Sequence, residues 1–93
     1  MHSFAYKNGT LYCENVNLQE LADKEGTPLY VYSKQTILNH FHRLREALAP
    51  LNAEVAYAVK ASSNIAILNL MARNGAGFDI VSGGELFLSL IHI

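Results

Sequence analysis

Apolar residues recur along this chain with two different periods. FAYKNGTLYC (4–13) places two short aromatic-rich runs on either side of Asn8-Gly9. That dipeptide supplies the positive φ angles of a tight turn, so the stretch predicts a β-hairpin. NLQELADKEG predicts a short helix, with Asn17 as its cap, Leu18, Leu21 and Ala22 as its apolar stripe, and Gly26 at its end. Pro28 opens LYVYS, whose aromatic and β-branched residues predict a strand. Ser33 is placed to cap a longer helix in which Ile37, Leu38, Phe41, Leu44 and Leu48 fall on one face, and Pro50 stops it.

Beyond Pro50 the period switches back and forth. EVAYAV (54–59) predicts a strand, and NIAILNLMARNG (64–75) a helix capped by Asn64 and ended near Gly75. FDIVS (78–82) predicts another strand, and GGELFLSLIHI (83–93) begins a further helix. The two strand starts, 54 and 78, lie 24 residues apart, a normal distance for one βα repeat. Helix, strand, helix, strand, helix from residue 34 onward argues for an α/β fold with a parallel sheet, either open or closed into a barrel. Two parallel strands do not make a stable sheet, and the last helix has no stop signal. The 93 residues are therefore expected to be a piece of a larger fold.

Side chains alternate along a strand. On that rule Val55, Tyr57 and Val59 share the bulky, helix-facing side, and Ala56, Ala58 and Lys60 share the other. Phe78 and Ile80 would face the helices, and Asp79 and Val81 would point the way Lys60 does. In α/β folds of either kind, ligands sit at the C-terminal ends of the strands. An inward lysine and an inward carboxylate on consecutive parallel strands, with two small alanines leaving room, form a candidate site. The plainer reading is that Lys60 ends its strand in solvent and Asp79 faces a loop.

Composition narrows the function classes. The chain is 51% hydrophobic and 16% charged, with a net charge of −1 and a pI near 6.4. The apolar excess anticipates faces that expect partners. No basic stripe points to nucleic acid, and no apolar run is long enough for a membrane span. The start MHSFAYKNG lacks a signal peptide's basic segment and apolar core, and the single cysteine, Cys13, has no internal partner. The expectation is a cytoplasmic protein.

YAVKASSN followed by GAGFDIVSGGEL resembles the alanine-racemase-like (fold-type III) family of pyridoxal-phosphate decarboxylases. The hairpin FAYKNGTLYCENV and the segment GTPLYVYS are similar to the start of the family's diaminopimelate branch, more than to its ornithine or arginine branches. The resemblance covers about residues 4 to 90. It implies the first βα units of a (β/α)8 barrel, preceded by a segment of a second, β-rich domain: residues 1–33 in the β-domain, residues 34–93 opening the barrel. A complete barrel needs about 250 residues. The Gly-rich phosphate loop, the acid beside the pyridine nitrogen and the substrate-carboxylate residues all lie further along such proteins. Ala61-Ser62 stands where the family often has Ala-Asn.

The resemblance implies that Lys60 forms a Schiff base with pyridoxal 5'-phosphate. A free lysine amine, with a pKa near 10.4, is unprotonated only about once in 2,500 molecules at pH 7, and an imine stores the nitrogen in reactive form. The implied reaction is decarboxylation of meso-diaminopimelate to L-lysine in a cytoplasmic homodimer, with a small amino acid as substrate. Asp79 matches an acid on the family's second barrel strand and is assigned to orient the groups around Lys60. Ser82 and Glu85 are supporting candidates. Glu85 matches a family acid, although its place at a helix start would itself favour a carboxylate. SGGE (82–85) could bare backbone N–H groups to a phosphate, but a tight βα turn accounts for it more simply.

No metal site is expected. His40 and His42 lie two apart on a helix and face different ways. Cys13 is read as a packing thiol, and Tyr30, Tyr32, Tyr57 and the phenylalanines as core. The competing functions are a related ornithine- or arginine-type decarboxylase, a non-enzymatic pyridoxal-phosphate barrel protein, and a truncated product with no catalysis. The hairpin and GTPLYVYS speak against the barrel protein, which lacks a β-domain. The isolated 93-residue piece is expected to be inactive.

Overall fold

In the computed structural model, residues 2–80 and 82–90 are described. Val81 lies outside them, and so do His92 and the rest of the tail beyond Leu90. The backbone forms two compact units, Met1–His42 and Arg43–Ile93, each built around its own strands.

In the first unit the Asn8-Gly9 turn forms as its residues require. Asn8 has φ 53° and Gly9 φ 80°, both left-handed. Strands β1 (Phe4–Lys7) and β2 (Thr10–Cys13) therefore pair antiparallel with Lys7 opposite Thr10. A second two-residue turn leads into β3 (Val16–Asn17), which pairs with β2 and completes a three-stranded meander. The sequence pattern missed β3, because two residues carry no period. Helix α1 (Leu18–Glu25) follows at once; Asn17 Oδ1 accepts from the Glu20 N–H at 3.1 Å, and Gly26 ends the helix at φ 88°.

The predicted strand LYVYS does not form, and residues 26–33 carry no regular structure. A strand exists only beside a hydrogen-bonded neighbour, and among the described residues none runs there. Tyr30 is 87% and Tyr32 52% exposed, so these tyrosines are not core in this chain. Helix α2 (Lys34–Leu48) begins where predicted: Ser33 Oγ accepts from the Thr36 N–H at 3.1 Å. Phe41 is buried on its apolar face, while Leu44 stays 49% exposed. Pro50 sits inside a short 3-10 turn, Ala49–Leu51, that extends the helix before the left-handed Asn52 turns the chain.

The α2 cap is anchored from the meander. Ser33 is only 4% exposed, and its hydroxyl donates to Glu14 Oε2 at 2.8 Å while accepting from Thr36. The Gln35 N–H donates to the same carboxylate at 3.1 Å. Ser3 adds its own N–H to Thr36 Oγ1 at 2.9 Å, and its carbonyl accepts from the Glu14 N–H at 2.7 Å. Glu14 occupies a left-handed φ of 56° to make this reach, and the hydrogen bonds hold it there. The backbone N–H of Gln35, then the Ser33 hydroxyl, lower its pKa from 4.5, with Lys34 adding a smaller pull and burial opposing. A depressed carboxylate pKa contributes stability that is present above the unfolded value and lost as pH falls through the folded one. Thermal melts of wild type and Glu14→Gln are therefore expected to differ at neutral pH, with the variant melting earlier. The two should converge once the pH drops below the native pKa of Glu14. A constant gap at all pH values would remove the charge from this account.

The second unit is a βαβ arrangement. Strands β4 (Ala56–Ala58) and β5 (Gly77–Asp79) pair in parallel, with Ala56 opposite Gly77, Tyr57 opposite Phe78 and Ala58 opposite Asp79. Helix α3 (Ile65–Arg73) links them, capped by Asn64 Oδ1, which accepts from the Ala66 N–H at 2.9 Å. Ile67, Leu68 and Met71 are buried at helical spacing. At the far end of α3, Arg45 Nη1 donates to the Asn74 carbonyl at 2.6 Å. Gly75 follows at φ 90°, and a Cβ there would come within 2.9 Å of the same guanidinium. The left-handed conformation calls for glycine at that position, while the guanidinium, at the end of a flexible side chain, could shift to make room. Helix α4 (Gly83–Leu90) closes the described chain.

Candidate functional site

Strand β4 is shorter than the predicted 54–59. It stops at Ala58, and Val59–Ala61 make one turn of 3-10 helix. Lys60 therefore lies on a turn at the C-terminal edge of the sheet, and strand alternation does not set its direction. The part of the alternation that falls within the strands does hold. Tyr57 and Phe78 occupy paired positions and meet edge to face, ring centroids 6.4 Å apart at 88°. Ala58 and Asp79 are the next pair along.

Val59 is fully buried, which pins the turn, while Lys60 itself is exposed. Tyr57 Oη donates to the Ser62 carbonyl at 3.0 Å and closes the turn from the other side. Asp79 is exposed at the end of β5, on the same C-terminal edge as the Lys60 turn. The structure thus brings a lysine and a carboxylate to one edge of the parallel pair, but through a turn rather than a shared strand face.

Ser82 and Glu85 belong to the start of α4. The Glu85 N–H donates to Ser82 Oγ at 3.2 Å, and the Leu86 N–H to the Ser82 carbonyl at 3.0 Å. Ser82 thereby satisfies donors that the first helical turn leaves without partners. Cys13 is buried at the end of β2, as a packing thiol would be. His42 packs against Phe41, with ring centroids 5.5 Å apart. Among the described residues no three His, Cys, Asp or Glu side chains gather into a metal-binding group, and no helix is long and apolar enough to cross a membrane.

Two contributors escaped the sequence pattern. Glu14 sits in a hairpin turn, and its partners lie 19 and 21 residues further on. Tyr57 was read as core from its apolar neighbours. Its position three residues before Lys60 was the only available signal, and that spacing has no meaning until the chain leaves the strand.

An exposed lysine at the C-terminal edge of a parallel βαβ unit, with a carboxylate on the next strand, is the outline of a ligand site in an α/β fold. The family model described as the pyridoxal binding domain of pyridoxal-dependent decarboxylases matches residues 34–92, and the chain belongs to that family. The diaminopimelate decarboxylase of Haemophilus influenzae is 49% identical over 86 residues, 92% of this chain and 21% of that protein. That of Methanocaldococcus jannaschii is 43% identical over 89 residues, 89% of this chain and 20% of that protein. A crystal structure of the M. jannaschii diaminopimelate decarboxylase in complex with L-lysine superposes with a TM-score of 0.91. It is 40% identical and covers 97% of this chain and 22% of that one. A solved protein from Aquifex aeolicus gives a TM-score of 0.90 at 46% identity, over 95% of this chain and 22% of that one. The chain is a mixed α/β segment that matches part of these enzymes, and it spans about a fifth of the length of the curated relatives.

Proposed function

We propose that this chain is the opening part of a decarboxylase that uses pyridoxal 5'-phosphate to convert meso-2,6-diaminopimelate to L-lysine, with Lys60 as the covalent attachment point of the cofactor. The relatives' names, at 43–49% identity over about nine-tenths of this chain, support the substrate. The lysine complex of the M. jannaschii enzyme supports the product. In this reading residues 1–33 belong to a β-domain and residues 34–93 begin a (β/α)8 barrel. The full enzyme works as a cytoplasmic homodimer.

The observation that carries the proposal is the position of Lys60. Its amine is exposed at the sheet edge where α/β folds bind ligands, inside the segment matched by the pyridoxal-binding family model. An exposed primary amine fits the aldehyde end of the cofactor. When bound, the cofactor supplies an electron sink for the pair left as the carbon–carboxylate bond breaks. Lys60 would hold the cofactor through its amine and, once released from it, would be placed to deliver a proton to the carbon that has lost its carboxylate. Asp79, on the neighbouring strand end, orients Lys60 by charge, and Ser82 and Glu85 set the start of α4 beside it.

Borohydride reduction of the parent enzyme, followed by peptide mass mapping, is expected to place a pyridoxyl group on Lys60. A label on Lys7, Lys24, Lys34 or a lysine outside this chain refutes the assignment.

A further inference from the structure

The turn that carries Lys60 is held by a contact with no part in the proposed chemistry. The chain leaves β4 at Ala58, makes one 3-10 turn, and is extended again at Ser62, with φ −163° and ψ 124°. A single 3-10 turn has poor hydrogen-bond geometry and little stability of its own. Two groups anchor this one. Val59 is fully buried in its first position. Tyr57, the middle residue of β4, arches its side chain over the turn and donates its hydroxyl to the Ser62 carbonyl at 3.0 Å.

The tyrosine ring is itself held by the T-shaped contact with Phe78, the residue before Asp79 on β5. The hydroxyl therefore has a defined place, set by the strand that carries the carboxylate. Phenylalanine at position 57 would serve the packing equally well, and the hydroxyl is what ties this side chain to the turn. A lysine amine swings on four rotatable bonds, so its reach is set by how firmly the backbone beneath it is held.

We infer that Tyr57 is a positioning residue for Lys60, its hydroxyl fixing the turn from which the amine meets the cofactor. This rests on the reading of Lys60 as the cofactor lysine, and it adds a residue that reading does not contain.

Tyr57→Phe in the parent enzyme isolates the hydroxyl. Backbone amide exchange across Lys60–Ser62, measured without cofactor, is expected to rise about tenfold, and the rate at which borohydride traps a pyridoxyl group on Lys60 to fall about tenfold. The pH dependence of trapping should keep its wild-type shape, because the amine itself is unchanged. Ile67→Val is the control. It loosens the packing of α3 but leaves the Tyr57 hydroxyl and its ring contact in place, and should lower the melting temperature while the folded protein traps near the wild-type rate. Wild-type trapping at Lys60 with unchanged exchange and rate in Tyr57→Phe overturns the positioning role and leaves the Lys60 reading standing. Equal slowing in both variants also overturns it, since packing would then explain the effect. No trapping at Lys60 in wild type overturns the Lys60 reading and the positioning role together.

Discussion

Lys60→Ala in the parent enzyme is expected to lower decarboxylation by at least about a thousandfold and to abolish the borohydride-trapped label. The size of the loss follows from the two tasks assigned to one nitrogen. In that proposal the amine is first the covalent attachment point of the cofactor, a role that no other described side chain of this unit offers an amine to fill. Arg45 lies at the other end of α3, engaged with the Asn74 carbonyl. The same amine must then carry a proton to or from the reacting carbon. Lys60→Arg is expected to be nearly as inactive, because a guanidinium keeps the charge but stays protonated and does not condense with an aldehyde. A small primary amine added to Lys60→Ala should restore part of the rate, since it supplies the missing function in solution. Turnover near the wild-type rate in Lys60→Ala, with no added amine, would mean that the cofactor is held elsewhere. Stopped-flow assays of carbon dioxide release, beside circular dichroism to show that the variant folds, make the test.

The second large effect is on stability. Leu68 is fully buried on α3, beside Ile67 and Met71, which are buried but not completely. Leu68→Ala should cost about 2–5 kcal/mol, the transfer free energy of the lost methyl groups plus the cavity they leave. Small domains are stable by only about 5–15 kcal/mol, so this one substitution removes a large share of the margin. Urea unfolding of the parent should show an earlier midpoint for the second unit, with little change in slope. Ala66→Ser, on the exposed side of the same helix, should stay within about 0.5 kcal/mol of wild type. Equal midpoints for Leu68→Ala and Ala66→Ser would show that α3 does not pack as described. The helix matters to the site because it joins the Lys60 turn to the strand that ends in Asp79.

Much of this was legible in the residues. Asn8-Gly9 announced its turn because few dipeptides accept two left-handed conformations. Asn17, Ser33 and Asn64 announced helix starts because a short polar side chain beside an apolar stripe can bond the free N–H groups of the first turn. The placing of Lys60 and Asp79 near one sheet edge also followed, since two strands joined by a helix run parallel and end on the same side.

Other features were not legible, for reasons of range. LYVYS has the composition of a strand, but composition cannot supply the neighbour that a strand needs. Glu14 reads as a turn residue until the fold brings Ser33 and Gln35 to it. Period-two alternation was carried through to Lys60, although the backbone changes conformation at Val59, where a side chain finds complete burial in a turn.

By itself, then, the order of residues determined everything set within a few positions: turns, caps, helical stripes, and which segments could be strands. It also singled out the lysine, because an amine at the end of an apolar run is a local anomaly. Only the tertiary structure decided how that amine is presented, on a 3-10 turn held by Val59 and Tyr57, and which carboxylate secures the start of α2. Local preferences act through a residue's own backbone and nearest neighbours. A turn's final geometry depends on contacts whose free energy exists only once distant segments have met.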